Sequence, residues 1–485
     1  MLADGVYQKR MVGAAGLSHT ASRVFWIHMG ILLGGLAFWG MGAACQALWY
    51  DESFTVATVS QSWEGLMRTA AADFHPPLYY CMLKIFCSLF GYTLPVMRAF
   101  SLLPMLGMCA LGYTQVRRLF GERAGILFSL LVALCPAVPF FANEIRMYAW
   151  ALLFTTLAAC YAWRWHTHGQ AAHACFMVLF AVLGAYTHYY ALLAVLAINL
   201  LLLASGIRRR VKAPALLLPA AAQLLGYLPG CVWLLHKAKN VAAGYWIPNT
   251  PLLYLAALLM IGISAALAVL VRRDARFAAA SRAAAWVVAL TLGIALAFSL
   301  CIRPVFMPRY LIPLSGLLLF QCTALLHGKE KKFLRNTLVV WAALCLACQA
   351  GSLVRSYAPR NTELTDLCAQ LGPQDAIVVG HCQFAGPLAV EPHALPVYWI
   401  GNKDPLNPLA FDGRAIFSDS VDAVPIWDNT KILVIDTQTI FGGPPTNLRA
   451  DMLARGFEEA APSREIRPPY QFWSSMRIST FTKPA

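Results

Sequence analysis

Apolar runs of about 17 to 22 residues recur along the first 354 residues, and that recurrence fixes the class of fold before any motif is considered. Each can carry a helix across a hydrocarbon core ~30 Å thick. A backbone in lipid must satisfy its own hydrogen bonds, which leaves helices as the solution for runs of this length. The runs fall at about 24–45, 95–116, 124–142, 147–163, 173–190, 191–207, 213–235, 251–271, 283–302, 308–326 and 337–354. The expectation is an α-helical polytopic membrane protein with about 11 transmembrane helices. Composition agrees: charged residues are 13% of the chain, against roughly 25% in soluble domains, and mean hydropathy is +0.59. The run from Val24 to Cys45 is too long for the apolar part of a removable leader and has no small-residue cleavage site, so it reads as the first span.

The stretch from His75 to Gly91 is apolar but short, opens with Pro76-Pro77 and carries Lys84. It reads as a helix lying at the interface in the first outer loop. Charge tests that choice. With it excluded as a span, the loops holding Lys9/Arg10/Arg23, Arg117/Arg118/Arg123, Arg164, Arg208 to Lys212, Arg272 to Arg282 and Lys329 to Arg335 share one side. That side collects 19 of the 27 Lys and Arg before residue 355, so the positive-inside rule makes it cytoplasmic. The net charge of +15 is thus spread through short loops rather than gathered on a soluble face, which excludes a nucleic-acid surface.

Beyond about Ser352 the pattern changes: 14 of the 23 acidic residues lie in 355–485. The β-rich runs from Ala376 to Gly380 and from Lys431 to Asp436 resemble buried strands of a small α/β soluble domain. The expected division is a membrane domain, 1–354, and a soluble domain, 355–485, outside the cytoplasm. No metal-ligand spacing occurs among the 14 Cys. A disulfide between Cys368 and Cys382 is left open.

Acidic residues before residue 355 are scarce, so their positions are informative. Asp51 and Glu52 follow Leu48-Trp49-Tyr50 where the first span emerges. Neighbouring carboxylates near low dielectric tend to titrate apart, which suits one to accept a proton; a solvated loop start is the alternative. Asp73-Phe-His75-Pro-Pro-Leu-Tyr79-Tyr80 opens the interfacial helix, where the prolines are ordinary helix-start chemistry and His75 and Tyr79 could meet a polar headgroup. Asn143-Glu144-Ile-Arg146-Met-Tyr148 puts two charges at a membrane boundary, expensive unless paired or functional. Tyr186-Thr-His188-Tyr189-Tyr190 and Arg303 to Tyr310, with Arg309, lie on the same side; an aromatic belt and snorkelling arginines are the competing accounts. Arginines there suit a phosphate, which guanidinium binds bidentately.

At these residues the sequence resembles bacterial members of glycosyltransferase family 39 and the related lipid-A sugar transferases of the GT-C superfamily. The resemblance rests on Trp49-Tyr-Asp51-Glu52-Ser, His75-Pro-Pro-Leu-Tyr-Tyr80, Glu144-Ile-Arg-Met-Tyr148, Tyr186-Thr-His-Tyr-Tyr190 and Pro308-Arg-Tyr310, over roughly residues 24–320. It implies an inverting membrane glycosyltransferase that moves a sugar from a polyprenyl-phosphate donor to a hydroxyl of an envelope lipid, glycan or protein, outside the cytoplasm at the plasma (inner) membrane. It further implies Asp51 as general base, Glu52 as its neighbour orienting the acceptor or tuning it, and Glu144 as a second acid at sugar or acceptor. His75, Arg146 and Arg309 then surround the donor phosphate, with Tyr79, Tyr148, His188, Tyr189 and Tyr310 as further substrate contacts. No cofactor is required; relatives with a divalent metal are known, but no ligand set stands out here. A lipid-linked sugar transporter without transferase activity is the rival, and it calls for mid-bilayer ionisable groups or inverted repeats, neither of which the sequence shows. A structural membrane subunit whose outer domain binds a partner is the third reading.

Overall fold

The computed structural model describes residues 22–44, 48–240, 250–357, 368–390, 395–402, 404–424, 431–439, 446–466 and 475–482. Lys9 and Arg10 of the first expected cytoplasmic cluster lie outside them. Among the described residues, eight helices are long and apolar enough to cross a bilayer: Ser22–Gly40, Leu94–Phe120, Tyr189–Arg208, Ala213–Leu234, Pro251–Leu270, Ala275–Cys301, Pro308–His327 and Lys331–Val354. Glu122–Ala133, Tyr148–His168 and Ala171–Ala185 occupy the remaining expected runs. The protein is a multi-pass membrane protein.

Two runs differ instructively from expectation. The stretch expected as one span over 124–142 is broken: its helix stops at Ala133, and only the single turn Val138–Phe141 follows. Pro136 and Pro139 lack the N–H a continuing helix needs, so the chain turns there. Conversely, the helix expected from about residue 283 begins at Ala275, because the Asp274 side chain accepts from the N–H groups of Arg276 and Phe277 and caps it.

The first long loop holds three helices, Tyr50–Ser60, Trp63–Ala72 and Leu78–Phe90. The last has 13 residues, a length of about 20 Å that falls short of a bilayer core. It buries Tyr79, Tyr80, Leu83, Lys84 and Cys87 and exposes Ile85, Leu89 and Phe90, the two-faced pattern of a helix at an interface. Lys84 is no loose snorkeler: its ammonium donates to the carbonyls of Val59 (3.0 Å) and Gln61 (2.5 Å), satisfying the C-terminal end of Tyr50–Ser60.

The last membrane helix continues to Tyr357. Beyond it lies a six-stranded sheet of β1 (Ala376–Val379), β2 (Val397–Ile400), β3 (Ile416–Ser418), β4 (Lys431–Thr439), β5 (Glu458–Ile466) and β6 (Ser475–Thr482), in the order β3-β2-β1-β4-β6-β5. β1, β2, β3 and β4 run parallel, which explains why β1 and β2 read as unbroken apolar runs buried on both faces. Cys368 and Cys382 are free thiols.

The domain and the loop helices share one core. Phe54, Tyr80, Met97 and Tyr148 from the membrane part join Ile377, Phe384, Trp399, Phe411 and Leu433 in a single buried cluster. The helix Cys382–Val390 lies so close to Tyr50–Ser60 that a methyl on Gly386 would sit 2.7 Å from the Ser53 hydroxyl.

Candidate active site

Asp51 and Glu52 stand in the first turn of Tyr50–Ser60, where the helix dipole favours negative charge. Successive helical residues point about 100° apart, and the two carboxylates part company accordingly. Asp51 Oδ2 meets Arg309 Nη2 at 3.1 Å, with the side chains 16% and 18% exposed. Glu52 Oε1 meets Arg98 Nη1 at 2.9 Å, with 4% and 6% exposed, and also accepts from the Ile145 N–H at 3.1 Å. Arg98 donates in turn to the Asn143 carbonyl at 2.7 Å. The first pair is reachable; the second is a strut tying the helix to the loop that bears Glu144. Glu52 is therefore held in the interior by Arg98 and the Ile145 N–H, while its neighbour Asp51 is partly exposed.

Arg146 is the hub of the floor. Its Nη1 donates to the Asp51 carbonyl (3.2 Å), Thr55 Oγ1 (3.1 Å) and Tyr80 OH (3.5 Å), and its Nη2 lies 3.3 Å from His75 Nδ1. Burial pushes His75 below its usual value, against the pull of Asp73, so the ring is neutral. His75 Nδ1 also lies 3.5 Å from Asp73 Oδ2, so this nitrogen stands between a guanidinium and a carboxylate. Tyr80 OH donates to Asp73 Oδ2 at 2.6 Å.

The aromatic wall comes from later segments. The His188 ring lies 5.8 Å from that of His75, 5.7 Å from Tyr148 and 5.2 Å from Tyr310. His188 Nδ1 accepts from the Tyr190 N–H at 3.1 Å, capping the helix Tyr189–Arg208. Among the described residues, the buried Nε of Arg146, Nε2 of His188 and hydroxyl of Tyr148 have no hydrogen-bond partner. The Arg309 guanidinium also sits 5.2 Å from the Trp49 ring.

Glu144 completes the set. Loss of water around it, reinforced by the Glu52 carboxylate and opposed by Arg309 and Arg146, pushes its carboxyl up to about 8. At neutral pH it is mostly protonated, an O–H donor as well as an acceptor.

Asp51, His75, Glu144, Arg146, Tyr148, His188, Arg309 and Tyr310 thus come together. Tyr79 and Tyr189 do not. Tyr79 is wholly buried against Phe100 with its hydroxyl 3.5 Å from Ser101, and it is Tyr80 that reaches the polar cluster. Tyr189 lies half-buried toward Tyr227, while the Tyr190 ring lies tilted 5.9 Å from that of His188 and 5.7 Å from that of Tyr310. Sequence reasoning passed over Arg98, Thr55 and the pairing of Asp73 with Tyr80; a lone arginine inside the apolar run 95–116 was the available signal for Arg98. Among the described residues, no group of three His, Cys, Asp or Glu is placed to hold a metal ion.

Residues 74–233 match the model of a family described as dolichyl-phosphate-mannose-protein mannosyltransferase. No curated protein matches the sequence significantly. Among solved structures, ArnT from Cupriavidus metallidurans in the apo state aligns with a TM-score of 0.62 at 14% identity, covering 94% of this chain and 98% of that one. The chain has the ArnT fold. ArnT bound to undecaprenyl phosphate aligns with a TM-score of 0.58, at the same 14% identity and the same 94% and 98% coverage. The ArnT likeness spans bundle and C-terminal domain together, and the family match lies over the segment that carries His75, Glu144, Arg146 and His188, as the motif resemblance implied.

Proposed function

We propose that the protein is an inverting glycosyltransferase that moves a sugar from a polyprenyl-phosphate carrier to a hydroxyl of an envelope lipid, glycan or protein, at the extracytoplasmic face of the inner membrane. The observation that carries the reading is the Asp51–Arg309 pair, a carboxylate and a guanidinium 3.1 Å apart and both partly exposed, in an otherwise buried basic and aromatic cluster. The match to a dolichyl-phosphate-mannose family and the binding of undecaprenyl phosphate by ArnT support a polyprenyl-phosphate donor. The unpartnered atoms of Arg146, His188 and Tyr148 support a polar ligand there, because buried polar groups of native proteins are almost always satisfied.

In this mechanism the acceptor oxygen forms a bond to the anomeric carbon as the carbon–oxygen bond to the phosphate breaks from the opposite face. The bond's electrons leave on the phosphate, and the acceptor proton passes to Asp51. Arg309 has two roles: it holds Asp51 before the donor arrives and pairs with the phosphate afterwards, which frees the Asp51 carboxylate to face the acceptor hydroxyl. Arg146 adds positive potential where charge develops, and His75 beside it adds a polar ring. Glu144, protonated at neutral pH, donates to a sugar hydroxyl or to the departing oxygen.

The test uses full-length protein in liposomes with radiolabelled undecaprenyl-phosphate mannose and envelope lipid extract. Asp51→Asn should lower transfer at least ~100-fold, the scale of general-base catalysis. Transfer at the wild-type rate by that variant overturns the base assignment, and label crossing the bilayer without transfer favours the transporter.

A further inference from the structure

We infer that Asn407 of the C-terminal domain, acting through Tyr50, positions Asp51 for transfer. The inference rests on reading Asp51 as the base, and it extends the working site to a part of the chain that carries no catalytic motif.

Tyr50 immediately precedes Asp51 in the same first turn. Its hydroxyl donates to Asn407 Oδ1 at 2.5 Å, and Asn407 is 1% exposed. Asn407 is itself held, its Nδ2 donating to Asn402 Oδ1 at 2.8 Å, while Asn402 Nδ2 donates to the Asp404 carbonyl at 2.9 Å. The anchor is therefore a closed loop of hydrogen bonds rather than one side chain. The same short helix, Leu406–Ala410, grips the far end of Tyr50–Ser60, where Gln61 Nε2 donates to the carbonyls of Leu409 (2.6 Å) and Ala410 (2.8 Å), and it holds the next helix, Trp63–Ala72, through Thr69 Oγ1, which donates to the Leu409 carbonyl at 3.2 Å. Between these ends, Gly386 leaves no space beside Ser53. A helix fixed at both ends and along one side neither rotates nor slides, and Asp51 turns with it.

Reach makes this matter. The Asp51–Arg309 contact is 3.1 Å, so a shift of about 1 Å breaks it. A misplacement of that size in a reacting group costs on the order of 100-fold in rate. Tyr50 and Asn407 touch neither donor nor acceptor in this scheme; they are positioning residues.

Full-length wild type, Tyr50→Phe, Asn407→Ala and the double variant test the idea by two readouts. Tyr50→Phe removes one oxygen only, which keeps the test readable should Asn407→Ala fold poorly. The first readout is amide exchange by mass spectrometry. Peptides covering 50–56 should exchange several-fold faster in each single variant and no faster in the double, while β1 and β4 keep wild-type protection. The second is turnover of radiolabelled undecaprenyl-phosphate mannose per folded molecule: kcat should fall about tenfold or more with KM within about twofold. Unchanged exchange at 50–56, loosening with wild-type kcat, or additive losses in the double variant would each overturn the inference. No turnover by wild type defeats the transferase reading instead, and the anchoring of the helix is then judged on exchange alone.

Discussion

Asp51 and Arg309 meet at 3.1 Å, although one opens the first loop helix and the other opens the helical segment Pro308–His327. The pair joins an early loop helix to a late helical segment, and its partial exposure sets it apart from the sealed Glu52–Arg98 pair beside it.

Arg309→Ala should abolish measurable transfer and weaken binding of undecaprenyl phosphate at least tenfold, because a guanidinium fork binds phosphate oxygens in pairs. Arg309→Lys should recover part of the binding but little of kcat, since an ammonium is a point charge without the fork. Native mass spectrometry of the purified protein with undecaprenyl phosphate, alongside transfer rates, checks both. Equal binding by Arg309→Ala would remove the phosphate role.

Transfer should fall at high pH with a midpoint near the Glu144 value of about 8. The sign follows from the direction of the shift: a raised carboxyl is protonated below its value, and the donor hydrogen is lost as pH rises through it. Glu144→Gln keeps a donor at every pH, so its kcat/KM profile should lose this alkaline limb. Linkage gives a second consequence. The unfolded carboxyl ionises from about 4.3 upward while the folded one waits, so the Glu144 contribution to stability declines between those two values. An alkaline limb that survives in Glu144→Gln belongs to another group.

Arg98→Ala should cost about 3–5 kcal/mol of stability, because it strands the Glu52 carboxylate in the interior. The double variant Glu52→Gln/Arg98→Met removes both charges and should regain much of that loss. Thermal unfolding in detergent measures each step. If the double variant is no better than Arg98→Ala, the penalty comes from lost packing rather than from an orphaned charge.

The bundle was legible in the sequence because hydropathy is a local property: a run of apolar residues announces a span without reference to any neighbour. The break after Ala133 was written there too, in Pro136 and Pro139, but the apolar average around them masked it. Candidate site residues such as Asp51, Glu144 and Arg309 stood out because charge at a membrane boundary is costly. Partner choice was not legible. Whether Glu52 faces an acceptor or Arg98 depends on a turn of about 100° within a helix that the sequence did not reveal as a helix. That Tyr80 carries the hydrogen bond to Asp73, and Tyr190 the ring contact with His188, was hidden for the same reason. Asn407 gave no signal at all, since an asparagine in a polar domain is unremarkable until the fold sets it against Tyr50.

The shared core has a consequence for how the chain is made. Phe54 and Tyr80 emerge early in synthesis, whereas Ile377, Phe384 and Leu433, which cover them, are translated last. During that interval the residues on the loop helices lack this cover. The shared core can form only when the final segment has docked, so a chain that stops early leaves the loop helices without their cover.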